Sequence, residues 1–208
     1  MLVSLVVPRF SFSQLSPHEL TFVGGQGFYS FLYKDQTPQD IMNLKYKPGF
    51  SYGIRYWWNS DDKNFLRAEL GVFQAGGRGF YAGNLVQWNL NYLTLGANYL
   101  YKFWDRERRD DFSVAFGPAL NMSYLMGGQQ IINKLSYDLK GSDAFKKMNF
   151  HGGVIVSARY FTTRRLHFSL EYRFDCSLGQ IEGADAADGQ KTRNIGHVIS
   201  AGVGFRLR

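Results

Sequence analysis

A single cysteine, Cys176, occurs in 208 residues. One thiol makes no internal disulfide, so redox compartment is not readable from it. No stretch approaches the ~20 consecutive apolar residues of a membrane-spanning helix. Strand-like stretches are not separated by helical patterns, which excludes a parallel sheet built from crossover units. Basic residues outnumber acidic ones, 24 Lys+Arg against 17 Asp+Glu for a formal charge of +7, yet they never form a long run. Nucleic acid is normally met by a concentrated basic patch, so it is not an expected partner. Also missing are a His/Cys cluster for zinc, the EF-hand spacing, a phosphate loop and a nucleophile elbow. Glu182, Asp185 and Asp188 around GADAADG (183–189) read as a solvated turn. The glycines of GGQG (24–27) and AGGRG (75–79) read as bends or clearance. No cofactor and no metal is expected.

What is abundant is aromatic and glycine, 17% Phe+Trp+Tyr with 23 glycines, arranged in period two. Eight stretches alternate: Glu19–Leu32, Lys45–Trp58, Phe65–Gln74, Trp88–Phe103, Phe112–Met126, Asn149–Phe161, Leu166–Leu178 and Asn194–Leu207. The alternation is clearest in the second half and poorest in the first stretch. In LHFSLEYRFDCSL (166–178) every second residue from Leu166 to Leu178 is apolar or aromatic, with His167, Ser169, Glu171, Arg173, Asp175 and Ser177 between. The connections alternate between short polar ones (59–64, 104–111, 162–165) and mostly longer ones (33–44, 79–87, 127–148, 179–193). That is the layout of an all-β, eight-stranded antiparallel up-and-down transmembrane β-barrel, its long loops outside the cell.

Direction follows from volume. A soluble lipocalin-like barrel points its apolar face inward, but eight strands enclose a space just filled by side chains. The Phe, Tyr, Leu, Ile and Met of the greasy face overfill it, and overpacking destabilises. The opposite face, mostly Gly, Ala and Ser with a few charges, fits. The greasy face therefore points to lipid, and a closed barrel satisfies every backbone group there. Tyr56, Trp58, Tyr101, Phe103 and Tyr160 share the outward parity near the short connections and form an expected aromatic girdle.

The inward parity collects Arg55, Arg67, Glu69, Lys102, His151, Arg159, Glu171, Arg173, Asp175 and Arg206. Counting back from 59–64 sets Arg55 opposite Glu69, an opposite-charge pair that supports a sheet, and Trp57 opposite Arg67. These residues read as a polar plug filling the lumen rather than as a proton or ion path. His151, His167, Ser157, Ser169 and Glu171 share the same parity, but acyl transfer needs nucleophile, base and carboxylate in mutual reach with a substrate entry. His197 is a lone lipid-facing histidine. Beyond the fifth strand, Ile131, Ile132, Leu135 and Leu139 recur at helical spacing; the expectation is a short amphipathic helix over the barrel mouth and a candidate interaction face. TPQDIMNLK (37–45) is expected to add another helical turn. At the start, Leu2–Val7 followed by Ser11 and Ser13 reads as a truncated signal peptide over residues 1–13, ahead of a single barrel domain, 14–208.

ELTFVGGQGFYSFLYK, FLRAELGVFQAGGRG, LNYLTLGANYLYKF, FSVAFGPALNMSYLMG, LHFSLEYRFDCSLG and HVISAGVGFRLR together resemble the PorT-like small outer-membrane β-barrel proteins of Gram-negative bacteria. The resemblance covers residues 19–208. It implies an outer-membrane, eight-stranded, OmpA-like barrel without catalysis, in contact with lipid and lipopolysaccharide. Some members of the family assist a secretion apparatus or surface assembly. The expected function is thus a non-enzymatic barrel that presents extracellular loops for binding or supports an envelope or secretion complex. The alternatives are a lipid A acylase or deacylase of the same fold, and a soluble ligand-binding barrel.

Overall fold

The computed structural model describes residues 18–34, 44–59, 63–81, 84–105, 112–140, 144–183 and 191–207. The expected signal peptide at 1–13, residues 37–43 of the helical turn expected over 37–45, and Asp185 and Asp188 lie outside the described residues, while Lys45 is already in a strand. Among the described residues nine strands form: β1 (His18–Lys34), β2 (Lys45–Asn59), β3 (Asn64–Tyr81), β4 (Asn84–Asp105), β5 (Phe112–Ile132), β6 (Leu135–Asp138), β7 (Met148–Phe161), β8 (Leu166–Ser177) and β9 (Lys191–Arg206). Every pairing is antiparallel, and β1 pairs with both β2 and β9. β4–β5 and β5–β7 complete the circuit, so eight strands make a ring and β6 hangs on the far part of β5. Ring closure leaves no edge among the eight, which satisfies their backbone groups internally. One end of the ring, the near end, carries the connections after β2, β4 and β7. The other is the far end.

The period-two reading of faces holds. Along β5, Ser113, Ala115, Gly117, Ala119, Asn121 and Ser123 are buried, while Phe116, Pro118, Leu120 and Tyr124 are exposed. β8 repeats this: His167, Ser169, Glu171, Arg173 and Asp175 are buried, and Phe168, Leu170 and Tyr172 are exposed. β1, whose sequence alternates poorly, buries Glu19, Thr21 and Val23 and exposes Phe22 and Phe28.

Two expectations fail at the far end. Residues 79–87 are not a long loop, because β3 and β4 stay paired as far as Tyr81 and Asn84. Residues 131–139 are not a helix. β5 runs on to Ile132, and a tight turn at Asn133 (φ 48°) and Lys134 (φ 74°) returns the chain as β6. Two consecutive left-handed residues are the signature of a hairpin turn, and Asn takes that region readily. The β-branched Ile131 and Ile132 then pair with Gln87 and Val86 of β4, a neighbour no helix spacing reveals. Of the four residues expected on one helical face, Leu139 is buried inside the ring and Leu135 is exposed.

The interior is layered. Toward the far end Tyr29, Phe31, Phe73, Leu90, Tyr92, Leu125, Leu139, Ile181 and Val198 form one apolar cluster. Toward the near end Trp57, Phe65, Leu100, Ala115, Ala119 and Ile155 form a second. Large groups therefore do lie inside, contrary to the expected inventory of small ones. They come chiefly from β1, β2, β3 and β4, and the small inward residues of β5 and β9 make room. A Cβ on Gly196 would stand 2.2 Å from the Tyr29 ring, and one on Gly204 2.2 Å from the His167 ring. Volume is balanced across the ring rather than within each strand.

Candidate functional site

Between the two apolar clusters lies a layer of ions. Register places Arg55 opposite Glu69, and Trp57 opposite Arg67, as counted from the sequence. β8 delivers Glu171, Arg173 and Asp175 on its inward face to meet them. Glu69 accepts from three arginines: Arg55 Nε (3.2 Å), Arg67 Nη2 (3.3 Å) and Arg173 Nη1 (2.9 Å). Glu171 takes Arg55 Nη2 at 2.8 Å and a short contact from Arg67 Nη1. Arg173 Nε meets Asp175 Oδ2 at 2.7 Å, and Asn121 Nδ2 donates to Asp175 Oδ1 at 3.3 Å. Three guanidinium groups thus face three carboxylates. All six are buried. Buried charges are tolerated when paired and hydrogen-bonded in this way.

A second group sits at the near end around Glu19. It accepts from Arg159 Nη1 (3.0 Å), Arg206 Nε (3.2 Å) and Asn59 Nδ2 (3.3 Å), with His167 Nδ1 3.8 Å away. Trp57 joins the two groups. Arg67 (4.9 Å) and Arg159 (4.6 Å) both lie over its ring, and such cation–π contacts strengthen when water is excluded. Arg206 lies over Phe161 at 4.1 Å.

Of the ten expected plug residues, eight are buried. Arg206 is partly exposed and joins the Glu19 group, and Lys102 is half-buried at the near end. His151 is buried and stands edge-on to Phe73 of the far apolar cluster. Glu19 is the residue that sequence reasoning missed. Its signal was parity, two residues before Thr21 and four before Val23, obscured by the GGQG that follows.

Catalytic geometry is not assembled from the inward Ser and His residues. His167 Nε2 lies 3.2 Å from Thr21 Oγ1, and Glu171 is occupied by two arginines instead of orienting an imidazole. Among the described residues no group of three or more His, Cys, Asp or Glu side chains is placed to hold a metal.

On the outward face Tyr56, Trp58, Tyr101, Phe103 and Tyr160 are all exposed at the near end, with Trp104 beside them. His197 is outward but not alone. Tyr172 Oη lies 2.7 Å from its Nδ1 and Tyr46 Oη 3.3 Å from its Nε2, so both ring nitrogens have phenol partners.

The fold is similar to solved structures. The outer membrane protein OprG from Pseudomonas aeruginosa matches with TM-score 0.56 at 11% identity, over 93% of this chain and 97% of that one. A major outer membrane protein from Thermus thermophilus matches with TM-score 0.53 at 12% identity, over 91% and 99%. Neisserial surface protein A matches with TM-score 0.50 at 14% identity, over 90% and 97%. No family model matches the chain, and no curated protein matches it by sequence.

Proposed function

We propose that the chain is an eight-stranded up-and-down β-barrel of the Gram-negative outer membrane that acts without catalysis. Its far end lies outside the cell, where it binds partners or supports an envelope or secretion complex, as the PorT-like resemblance implies. The observation that carries this reading is the pairing of opposite faces. The outside of the ring is a continuous apolar band with an aromatic girdle, and the inside is a charge-balanced plug between two apolar layers. Lipid suits the first, and only a lumen closed to solvent flow suits the second. The outer-membrane and surface proteins of similar fold support the same location.

The reading is tested with the full chain folded in detergent and transferred to liposomes. It should float with lipid on a density gradient, and unheated samples should migrate differently from boiled ones on electrophoresis. In planar bilayers it should give no sustained conductance. Solubility without detergent would overturn the membrane reading, and steady conductance steps would overturn the plug.

A further inference from the structure

The outward face of β3, β4 and β5 changes character abruptly and in register. On β4 the outward residues from Phe103 through Tyr101, Tyr99, Ala97 and Leu95 to Leu93 are apolar or aromatic, which matches the length a bilayer asks of a tilted strand, about 9–11 residues. The next outward residues are Asn91 and Asn89. On β3 the series Leu66, Ala68, Leu70, Val72 gives way to Gln74, which is the cross-strand partner of Asn91. On β5 the series ends at Tyr124 and Met126, and Gln129 then pairs with Asn89. Three strands thus switch from hydrocarbon to carboxamide along one line.

Above that line a hollow opens on the outward face. The β4–β5 register slips between Asn91 and Tyr92, which bulges Met126 outward and brings Gly127 and Gly128 to the surface without side chains. Bulges commonly re-aim side chains next to functional sites. The result is a groove of about 800 Å³ walled by Gln74, Asn89, Asn91, Gln129, Asp138 and Lys140. Its lower lip is Phe50, Val72 and Met126, the top of the apolar band. Gln74 Nε2 donates to Asn91 Oδ1 at 3.3 Å, and Gln87 Nε2 donates to Asn89 Oδ1 at 3.2 Å. Each pairing uses one end of each amide and leaves Asn91 Nδ2, Asn89 Nδ2 and Gln74 Oε1 for a ligand.

We infer that this groove holds the head group of a phosphorylated glycolipid of the outer leaflet. The inference rests on the outer-membrane reading and names the partner of its far end. A carboxamide offers donor and acceptor together, as a sugar hydroxyl does, so a row of Asn and Gln with Asp138 matches the diols of a saccharide. Lys140 supplies the cation for a phosphate on that saccharide. The acyl chains continue downward over Val72, Phe50 and Met126 without leaving the apolar face. An occupant that is polar above the line and apolar below it is an amphiphile standing in the leaflet.

The test uses the full chain in phosphatidylcholine nanodiscs doped with lipid A, a phosphorylated glucosamine-disaccharide lipid, or with phosphatidylglycerol at equal charge. Retained lipid is counted by native mass spectrometry. Lipid A should be retained at least ten-fold over phosphatidylglycerol, and N89A/N91A should lose at least ten-fold of that retention. A second variant, Gln129→Trp, fills the groove from its rim and should block retention while the heat-dependent migration of the folded chain stays unchanged. Equal retention of the two lipids, or undiminished lipid A retention in both variants, overturns the inference. Failure of the wild-type chain to enter the nanodisc at all would instead strike the outer-membrane reading on which it rests.

Discussion

Glu69→Gln is expected to cost the folded protein about 3–5 kcal/mol, the loss typical of breaking a buried ion pair from one side. Urea unfolding of the micelle-folded chain, followed by tryptophan fluorescence, measures it. Glu69 is the shared acceptor for Arg55, Arg67 and Arg173, so the neutral amide leaves three guanidinium groups facing only Glu171 and Asp175. The penalty is the uncompensated charge more than the lost bonds. A matched change should relieve it. Adding Arg55→Met leaves Arg67 with Glu171 and Arg173 with Asp175, two pairs whose contacts already exist. The double variant is therefore expected to be more stable than Glu69→Gln alone. Arg165→Gln, at an exposed connection, should change stability by no more than about 0.5 kcal/mol.

Leu170→Arg is expected to cost about 2–4 kcal/mol in bilayers, the range for a cation on the lipid face near the membrane midplane. Leu170 stands outward at mid-β8, 59% exposed, with Ala158 and Ala201 as its cross-strand neighbours. For a protein whose outward face met water, the same change at so exposed a position would be nearly neutral. Folding yield into liposomes and urea midpoints, compared with Leu170→Ala, separate the two cases. Leu170→Ala removes packing without adding charge, so the extra loss in the arginine variant reports the lipid.

The parts of this architecture that are legible in the sequence are those in which parity and size agree within one strand. In β8 the outward Leu166, Phe168, Leu170 and Tyr172 are large while two of the inward residues, Ser169 and Ser177, are small, and β5 and β9 repeat the contrast. The Arg55–Glu69 pairing is legible because a short connection fixes register by counting. Glu19 is not, because β1 mixes glycines with aromatics on both faces. Nor is the apolar filling of the interior. Tyr29, Phe31, Phe73 and Tyr92 fit only because strands remote in sequence, such as β9 with Gly196, give up volume opposite them. The β5–β6 hairpin reads as a helix in sequence because Ile131, Ile132, Leu135 and Leu139 satisfy the helical spacing. What decides against it is the pairing of β5 with β4, a contact across more than 40 positions of sequence. The amide-lined groove has the same origin: Gln74, Asn89, Asn91 and Gln129 become one surface only when register is known.

In the proposed barrel the large residues of β8 touch lipid while its charged ones face a closed interior. A single-cysteine scan over residues 167–174, in a Cys176→Ser background and with spin labels in reconstituted bilayers, addresses it directly. Labels at 168, 170, 172 and 174 should be reached by lipid-dissolved oxygen and shielded from a water-soluble nickel complex. Labels at 169, 171 and 173 should be shielded from both. Access of the nickel complex to the even positions would contradict the account.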